Sequence, residues 1–471
     1  MQECFVGIDI GASSGRHIAG WVENQKIHLQ EVYRFENNLL HKNGHLCWDL
    51  EKLTYHVIEG LAQCHKAGYQ PKSIGVDTWA VDFVLLDEAG NPLGDAVAYR
   101  DGRTQGIPEQ VEQVIPFEEL YARTGIQFQP FNTIYQLVAL QKEHPEQMEK
   151  AKTFLMIPDY LNYRLTGVAC NEYTNASTTA LVNATTRQWD DALIEKLNLP
   201  REIFQTIQMP GKQMGLLSQE VSEYVGFCCP VVLPATHDTG SAFLAVPDRD
   251  EHTVVLSSGT WSLLGVQRQN PVLSEESRKA NFTNEGGYGA TVRCLKNIMG
   301  LWMIQSIRRE VGKNTGTLPS FPQLIEQAKN AAEFSGVVDV NDNRFLAPES
   351  MIEEVKQACR ETGQPVPSTT GEVMQCVYRS LASSYAEAVK QLEFITKSTY
   401  TKVSIVGGGS QDMYLNQMTA TATGLPVFAG PTEGTALGNI LVQMVHAGVF
   451  ADFAAAHQAM KQSFDIKEVQ P

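Results

Sequence analysis

Two stretches of this chain share one rhythm of apolar and polar positions. The first opens with an apolar run at Cys4–Asp9 and breaks at a small polar turn, Ile10-Gly11-Ala12-Ser13-Ser14-Gly15. It resumes at Arg16–Val22 and again at Lys26–Phe35. Runs of this length joined by turns this tight predict an antiparallel strand meander. From Asp49 to Gly68 the period changes. Leu50, Leu53, Val57, Ile58, Leu61 and Cys64 recur at helical spacing, and Gly68 supplies a stop. A strand-rich stretch, SIGVDTWAVDFVLL, follows at Ser73–Leu86.

The second stretch opens at Thr253–Leu256, breaks at Ser257-Ser258-Gly259-Thr260 and resumes at Trp261–Val266. Val373, Val377, Leu381, Tyr385, Val389 and Leu392 predict an amphipathic helix. After it come an apolar strand at Lys402–Val406, the turn Gly407-Gly408-Gly409-Ser410 and a helix at Gln411–Thr423. A strand at Pro426–Ala429 and a helix at Glu433–Ala447 follow. Meander, helix and strand thus occur in both halves. The halves divide near Ala245–Glu251, where Pro247, Asp248, Arg249 and Asp250 make a polar break. Leu295–Trp302 reads as an apolar helix with a polar head, which sets Asn297 and Gln305 near one face.

Composition narrows the function classes. A chain of 471 residues exceeds one hydrophobic core, so at least two large domains are expected. A formal charge of −16 repels nucleic acid and anionic membrane, so neither is expected as a partner. Met1–Gly11 reads as the start of a strand rather than a leader, and no apolar run reaches membrane-spanning length. The nine cysteines lack paired CxxC spacing, which argues against zinc and for reduced thiols in a cytoplasmic protein.

Several segments could carry chemistry. Asp9 at a strand end, followed by the Gly/Ser turn, presents backbone N–H groups to an anion, and its carboxylate could hold hydrated Mg2+ against phosphates. The plain alternative is a hairpin whose Asp caps the loop. Ser257–Thr260 repeats the device, and two such turns, one per half, suit a nucleotide phosphate clamp. Three consecutive glycines at 407–409 let the backbone approach a flat ring or ribose; a flexible connection is the alternative. In His237-Asp238-Thr239-Gly240, Asp238 is either the N-cap of a helix or a carboxylate placed to accept a hydroxyl proton. In DTWAVDF, strand alternation puts Asp77, Trp79 and Val81 on one face and Thr78, Ala80 and Asp82 on the other. Polar groups beside an aromatic platform suit a sugar, and a half-exposed strand with Trp79 in the core is the alternative. Arg100–Arg103 reads as a solvated turn.

Taken together, the Gly7–Ser14 opening, the HDTG segment, the SSGTW turn and the GGGSQ turn resemble the FGGY carbohydrate kinase family over essentially the whole chain. DTWAVDFVLLD, NTIYQL, PATHDTGSAF, SSGTWSLLG and LKNIMGLW are similar in combination to its branch acting on L-rhamnulose. The resemblance implies an α/β fold of two ribonuclease-H-like, actin-like ATPase domains with a catalytic cleft between them. Residues 1–245 would bind sugar and phosphate and supply the catalytic base, and residues 246–471 would bind ATP. The implied reaction is ATP-dependent phosphorylation of L-rhamnulose to L-rhamnulose 1-phosphate with Mg2+. L-fuculose, L-ribulose or D-xylulose are alternative substrates, and a non-catalytic actin-like ATP-binding protein is the alternative of another class.

The implied roles map residue by residue. Ala12, Ser13, Ser14, Gly15 and Arg16 form an ATP-phosphate loop, and Thr260, Gln305 and Gly408 contact ATP. Ala80, His237, Asp238, Thr239 and Asn297 lie on the sugar, with Asp238 as catalytic base. Asp9 resembles the magnesium-associated aspartate of actin-like ATPases. Ala80 stands where the family has Gly, and Gln136 and Ala139 stand where it has Lys and Trp. Cys359 and Cys376 occupy positions where the resemblance implies a disulfide, although a cytosolic thiol pool would keep the pair reduced.

Overall fold

The computed structural model describes residues 1–471 and divides into two compact units. One holds Met1–Asp248, Gln267–Cys294 and Gly434–Phe464; the other holds Arg249–Val266, Leu295–Glu433 and Asp465–Pro471. The first break falls in the polar stretch at Asp248, while two later segments belong with the N-terminal residues.

The first unit is built on a six-stranded sheet in the order Gln213–Leu216, Pro230–Val232, Tyr69–Thr78, Gln2–Ile10, Ser14–Glu23, Lys26–Glu36. Gln2–Ile10, Ser14–Glu23 and Lys26–Glu36 are the antiparallel meander, and Tyr69–Thr78 runs parallel to Gln2–Ile10. Because side chains alternate along a strand, the central strand serves both faces. Cys4, Val6, Ile8 and Ile10 join Leu53, Val57, Leu61 and Cys64 of the Leu50–Lys66 helix in one core. On the opposite face Phe5 packs with Ala436, Ile440 and Met444 of the Gly434–His446 helix. Gly7 and Gly75 share that face. An added Cβ would lie 3.1 Å from Ala436 O at Gly7 and 2.5 Å from Asn439 Oδ1 at Gly75, so their lack of a side chain lets the helix close on the sheet. The next residues on the same face, Asp9 and Asp77, are directly paired in register. The apolar pattern therefore ends in two adjacent carboxylates.

The strand does not continue through DTWAVDF. It ends at Thr78, and Val81 sits at φ +67°, a left-handed conformation that a β-branched side chain resists. The expected alternation fails there: Asp82 turns inward and accepts hydrogen bonds from Trp48 Nε1 at 2.6 Å, Trp79 Nε1 at 3.0 Å and Gln136 Nε2 at 3.0 Å. Arg100–Arg103 is no solvated turn either. Asp101 accepts from Leu46 N, and Arg103 donates to Gln136 Oε1 at 2.7 Å.

In the second unit Thr253–Ser258 pairs antiparallel with Trp261–Arg268 and parallel with Lys402–Val406. The sheet continues through Val427–Ala429 to Lys467–Val469. The Thr370–Thr396 helix starts at a capping box of Thr369 and Glu372, and Tyr378 OH ties it to Asp412, the N-cap of the Met413–Thr423 helix. Leu295–Trp302 is not a helix. A strand runs over Val292–Met299, Gly300 and Leu301 turn the chain, and a helix covers Trp302–Thr315. Asn297 therefore lies on a strand and Gln305 on the helix after it, so the shared helical face does not exist. All nine cysteines are free thiols, and Cys359 Sγ and Cys376 Sγ are 3.8 Å apart, unbonded. Burial pushes both thiols up, which disfavours the thiolate that exchange would need. No helix is long and apolar enough to cross a membrane.

Candidate active site

Three carboxylates gather at the strand ends of the first unit. Asp9 and Asp77 are register partners on neighbouring strands, and the bridge between Thr78 and His237 brings Asp238 alongside. Each is held differently. Asp9 Oδ2 accepts from Arg16 Nη2 at 2.9 Å and Nε at 3.1 Å across the meander. Asp77 is fully buried; its Oδ2 accepts from Asn439 Nδ2 at 2.6 Å, while Oδ1 has no partner. Burial, reinforced by the charge of Asp9, pushes the Asp77 carboxyl well above the usual range.

Asp238 is the first residue of the Asp238–Leu244 helix, and His237 occupies the N-cap. A capping side chain accepts from the second or third helical N–H. From the first helical position, the Asp238 carboxylate accepts from the N–H and Oγ1 of Thr239, the second helical residue, while the side chain of the N-cap residue His237 caps nothing. Its side chain keeps 32% exposure. Desolvation raises its carboxyl above the ordinary Asp value, with His237 opposing the rise and Asp9 adding to it. His237 Nε2 lies 3.4 Å from Asp238 Oδ1.

A buried scaffold fixes this corner. Glu172 is fully buried, and its carboxylate accepts from Thr174 N, Asn175 N, Thr236 N and Thr236 Oγ1. Asn175 Nδ2 donates to Trp79 O at 3.3 Å and Thr236 O at 3.4 Å. One network therefore locks the segment before His237 to the bend that carries Ala80. Behind the Asp238 helix, Gly438 makes room. A Cβ there would lie 1.8 Å from Ser241 O.

Of the expected phosphate loop, Ser13 is exposed and Ala12 and Ser14 are half-buried, and Gly11 N donates to Ser14 O at 2.9 Å to close the turn. Gly15 has a structural reason: a Cβ would strike the Phe35 ring at 2.1 Å. Arg16 is engaged by Asp9.

The second unit brings Thr260, Gln305 and the glycine turn into one neighbourhood. Trp302 N donates to Thr260 O at 3.2 Å and Leu301 N to Gly259 O at 3.0 Å, fixing the Ser258–Thr260 turn to the start of the helix that carries Gln305. The three glycines divide their roles. Gly407 lies at φ +87°, and a Cβ on Gly409 would meet Ser258 Oγ at 1.9 Å. Gly408 is exposed, with nothing within 4 Å of its Cβ position, so it alone is left open for a flat ligand. Asn297 is half-buried in the same unit.

Sequence reasoning missed Asn439, Glu172, Asn175 and Trp48. Only Asn439 left a trace. With Gln443 it forms a polar pair one turn apart inside an otherwise apolar helix, and Gln443 donates to Val6 O at 3.0 Å.

The profiles of the FGGY family of carbohydrate kinases match residues 4–245 for the N-terminal domain and 254–447 for the C-terminal domain. The rhamnulokinase of Halalkalibacterium halodurans is 51% identical over 98% of this chain and 97% of its own length. That of Bacillus subtilis is 42% identical over 99% and 95%. Among solved structures, gluconate kinase from Lactobacillus acidophilus superposes with a TM-score of 0.83 at 16% identity, covering 100% of this chain and 94% of its own. Plasmodium falciparum glycerol kinase with ADP does so at 0.77 and 16%, covering 100% and 95%.

Proposed function

Because the chain belongs to the FGGY family of carbohydrate kinases, we propose that it transfers the γ-phosphoryl group of ATP to O1 of L-rhamnulose, giving L-rhamnulose 1-phosphate and ADP in the breakdown of L-rhamnose. The observation that carries the substrate is the end-to-end identity with rhamnulokinases. The chemistry rests on Asp238, a partly exposed carboxylate of raised basicity at the first position of its helix.

In this reading O1–H of the ketose hydrogen-bonds to Asp238. The oxygen attacks the γ-phosphorus, the bond to ADP breaks, and the proton passes to the carboxylate. Ala80, His237 and Thr239 hold the sugar, and Ala12–Arg16 hold the phosphates. The resemblance assigns Asn297 to the sugar and Thr260, Gln305 and Gly408 to ATP.

Phosphoryl transfer from ATP normally needs a divalent metal. No three His, Cys, Asp or Glu side chains are grouped to grip an ion directly. The Asp9 carboxylate at its strand end, backed by the buried Asp77, would hold Mg2+ that arrives on ATP and keeps its water shell. Such an ion would supply charge neutralisation to the transferring phosphate, and Arg16, held by Asp9, would add a positive charge beside it. The cytoplasm, with ATP and reducing thiols, is the proposed compartment for nine free cysteines.

A coupled ADP-release panel across ketoses tests the substrate. L-Rhamnulose is expected to give the highest kcat/KM, and a tenfold win by D-xylulose, L-ribulose or L-fuculose would sink the assignment. Against the pentuloses, which lack the C6 methyl, one methyl is worth about 1–3 kcal/mol at most, so discrimination by that group alone stays modest. Gly408→Ala tests the nucleotide side. The substitution meets no atom in the protein, so Tm is expected to hold while KM for ATP rises about tenfold or more. An unchanged KM would remove Gly408 from the ATP site.

A further inference from the structure

The His237 ring lies between two carboxylates, and the inner one is tied to an arginine that water does not reach. On the outer side Nε2 is 3.4 Å from Asp238 Oδ1. On the inner side Nδ1 is 3.1 Å from Glu285 Oε2 and 3.1 Å from Arg293 Nη2. Arg293 and Glu285 are 3.2 Å apart, with side-chain exposures of 1% and 6%. Arg293 Nε also donates to Gly286 O at 2.8 Å, and the guanidinium lies 5.9 Å from the Phe243 ring centroid. Withdrawing two charges from water is costly, and a buried ion pair is often no more stabilising than apolar residues of the same volume. As packing, the pair gains the fold little. Its distinctive contact is with one imidazole.

Orientation decides what that contact does. Arginine has donors and no acceptor, and Arg293 Nη2 directs a hydrogen at Nδ1. Nδ1 must therefore offer its lone pair, which leaves the proton of the neutral ring on Nε2. Glu285 Oε2 receives no N–H at a hydrogen-bonding angle, so its charge balances Arg293 without claiming the ring proton.

We infer that Arg293, balanced by Glu285, is a positioning residue that fixes His237 in the Nε2–H tautomer. The imidazole then acts as a donor toward Asp238 and toward an acceptor oxygen of the sugar. Neither Arg293 nor Glu285 touches the reacting atoms. The inference rests on reading His237 and Asp238 as the sugar-facing pair.

Ring-15N histidine spectra of the full chain near neutral pH, before any sugar is added, test it directly. The His237 resonances are assigned by their loss in His237→Gln. The expected pattern is a protonated, pyrrole-type Nε2 and an unprotonated, hydrogen-bonded Nδ1. The double variant Glu285→Gln/Arg293→Met removes both charges at similar volume. It is expected to give mixed tautomers and a kcat about tenfold lower, with KM for ATP unchanged. A wild-type ring protonated at Nδ1 overturns the inference whether or not the variant folds. So does a double variant that keeps both the wild-type tautomer and the wild-type kcat. Because the spectra need no substrate, a wrong ketose assignment leaves this result standing.

Discussion

Asp238→Asn is expected to lower kcat by about 10²–10⁴, the usual worth of general acid–base help, with KM for ATP and Tm near wild type. The amide keeps the size of the side chain and an oxygen that can accept from Thr239, but it loses the charge and the basicity. Were Asp238 a helix cap, Asp238→Ala would cost about 1–2 kcal/mol of stability and leave kcat nearly intact. His237 holds the N-cap, and the bond from Thr239 N–H to Asp238 is one the amide oxygen of Asp238→Asn can keep, so kcat rather than Tm separates the two readings. The pH profile adds a check with a definite sign. The base works only when ionised, and its carboxyl is raised in the folded protein. Activity is therefore present above the raised pKa and lost as pH falls through it. The acid limb of kcat/KM for the ketose should lie above the ordinary Asp value of about 4. A limb at or below that value would contradict the desolvated setting of Asp238.

Gly438→Ala is expected to damage stability and activity together. Alanine in a helix interior normally gains about 1 kcal/mol over glycine. Here the added methyl would lie 1.8 Å from Ser241 O and 2.6 Å from Ser241 C, and backbone atoms cannot swing aside. Overpacking of this kind costs roughly 1–3 kcal/mol, occasionally more, so the clash outweighs the propensity. Relief requires the Asp238–Leu244 helix to shift, and Asp238 is its first residue. A displacement of about 1 Å at a reacting group can cost on the order of a hundredfold in rate. A lower Tm with kcat reduced at least tenfold is the expected pair of results. Gly424→Ala would be a poor control, because Gly424 sits at φ +68° and would be strained regardless of space.

Much of the frame could be read in the chain. A strand covered on both faces writes itself as a continuous apolar run, and Cys4–Ile10 and Lys402–Val406 did so. The Leu50–Lys66 helix announced itself by period and by its glycine stop, and the structure adds Asp49 as its cap. Leu295–Met299 failed for the same reason the strands succeeded: a short apolar run does not distinguish a buried strand from a buried helix. The decisive feature was Gly300, whose Cβ would lie 2.6 Å from Trp261 C, a contact no local pattern contains. The DTWAVDF reading failed where Val81 adopts positive φ, because alternation holds only while the backbone stays extended.

The candidate site was legible in its motifs and opaque in its supports. Asp9, His237 and Asp238 lie in short segments of unusual composition. Asn439 meets Asp77 across 362 positions, and Arg293 meets His237 across 56. Such partners are chosen by tertiary structure alone. The glycine triplet shows the intermediate case. Its composition signalled a close approach, but for Gly409 the approaching group is Ser258 of the protein itself, and only Gly408 remains for a ligand.

In a mixture of the enzyme, Mg-ATP and L-rhamnulose followed by 31P spectroscopy, one new phosphomonoester is expected, split into a triplet by the two C1 protons and growing in equal amount with ADP. ADP accompanied by free inorganic phosphate and no sugar ester, or no turnover of ATP at all, would contradict it.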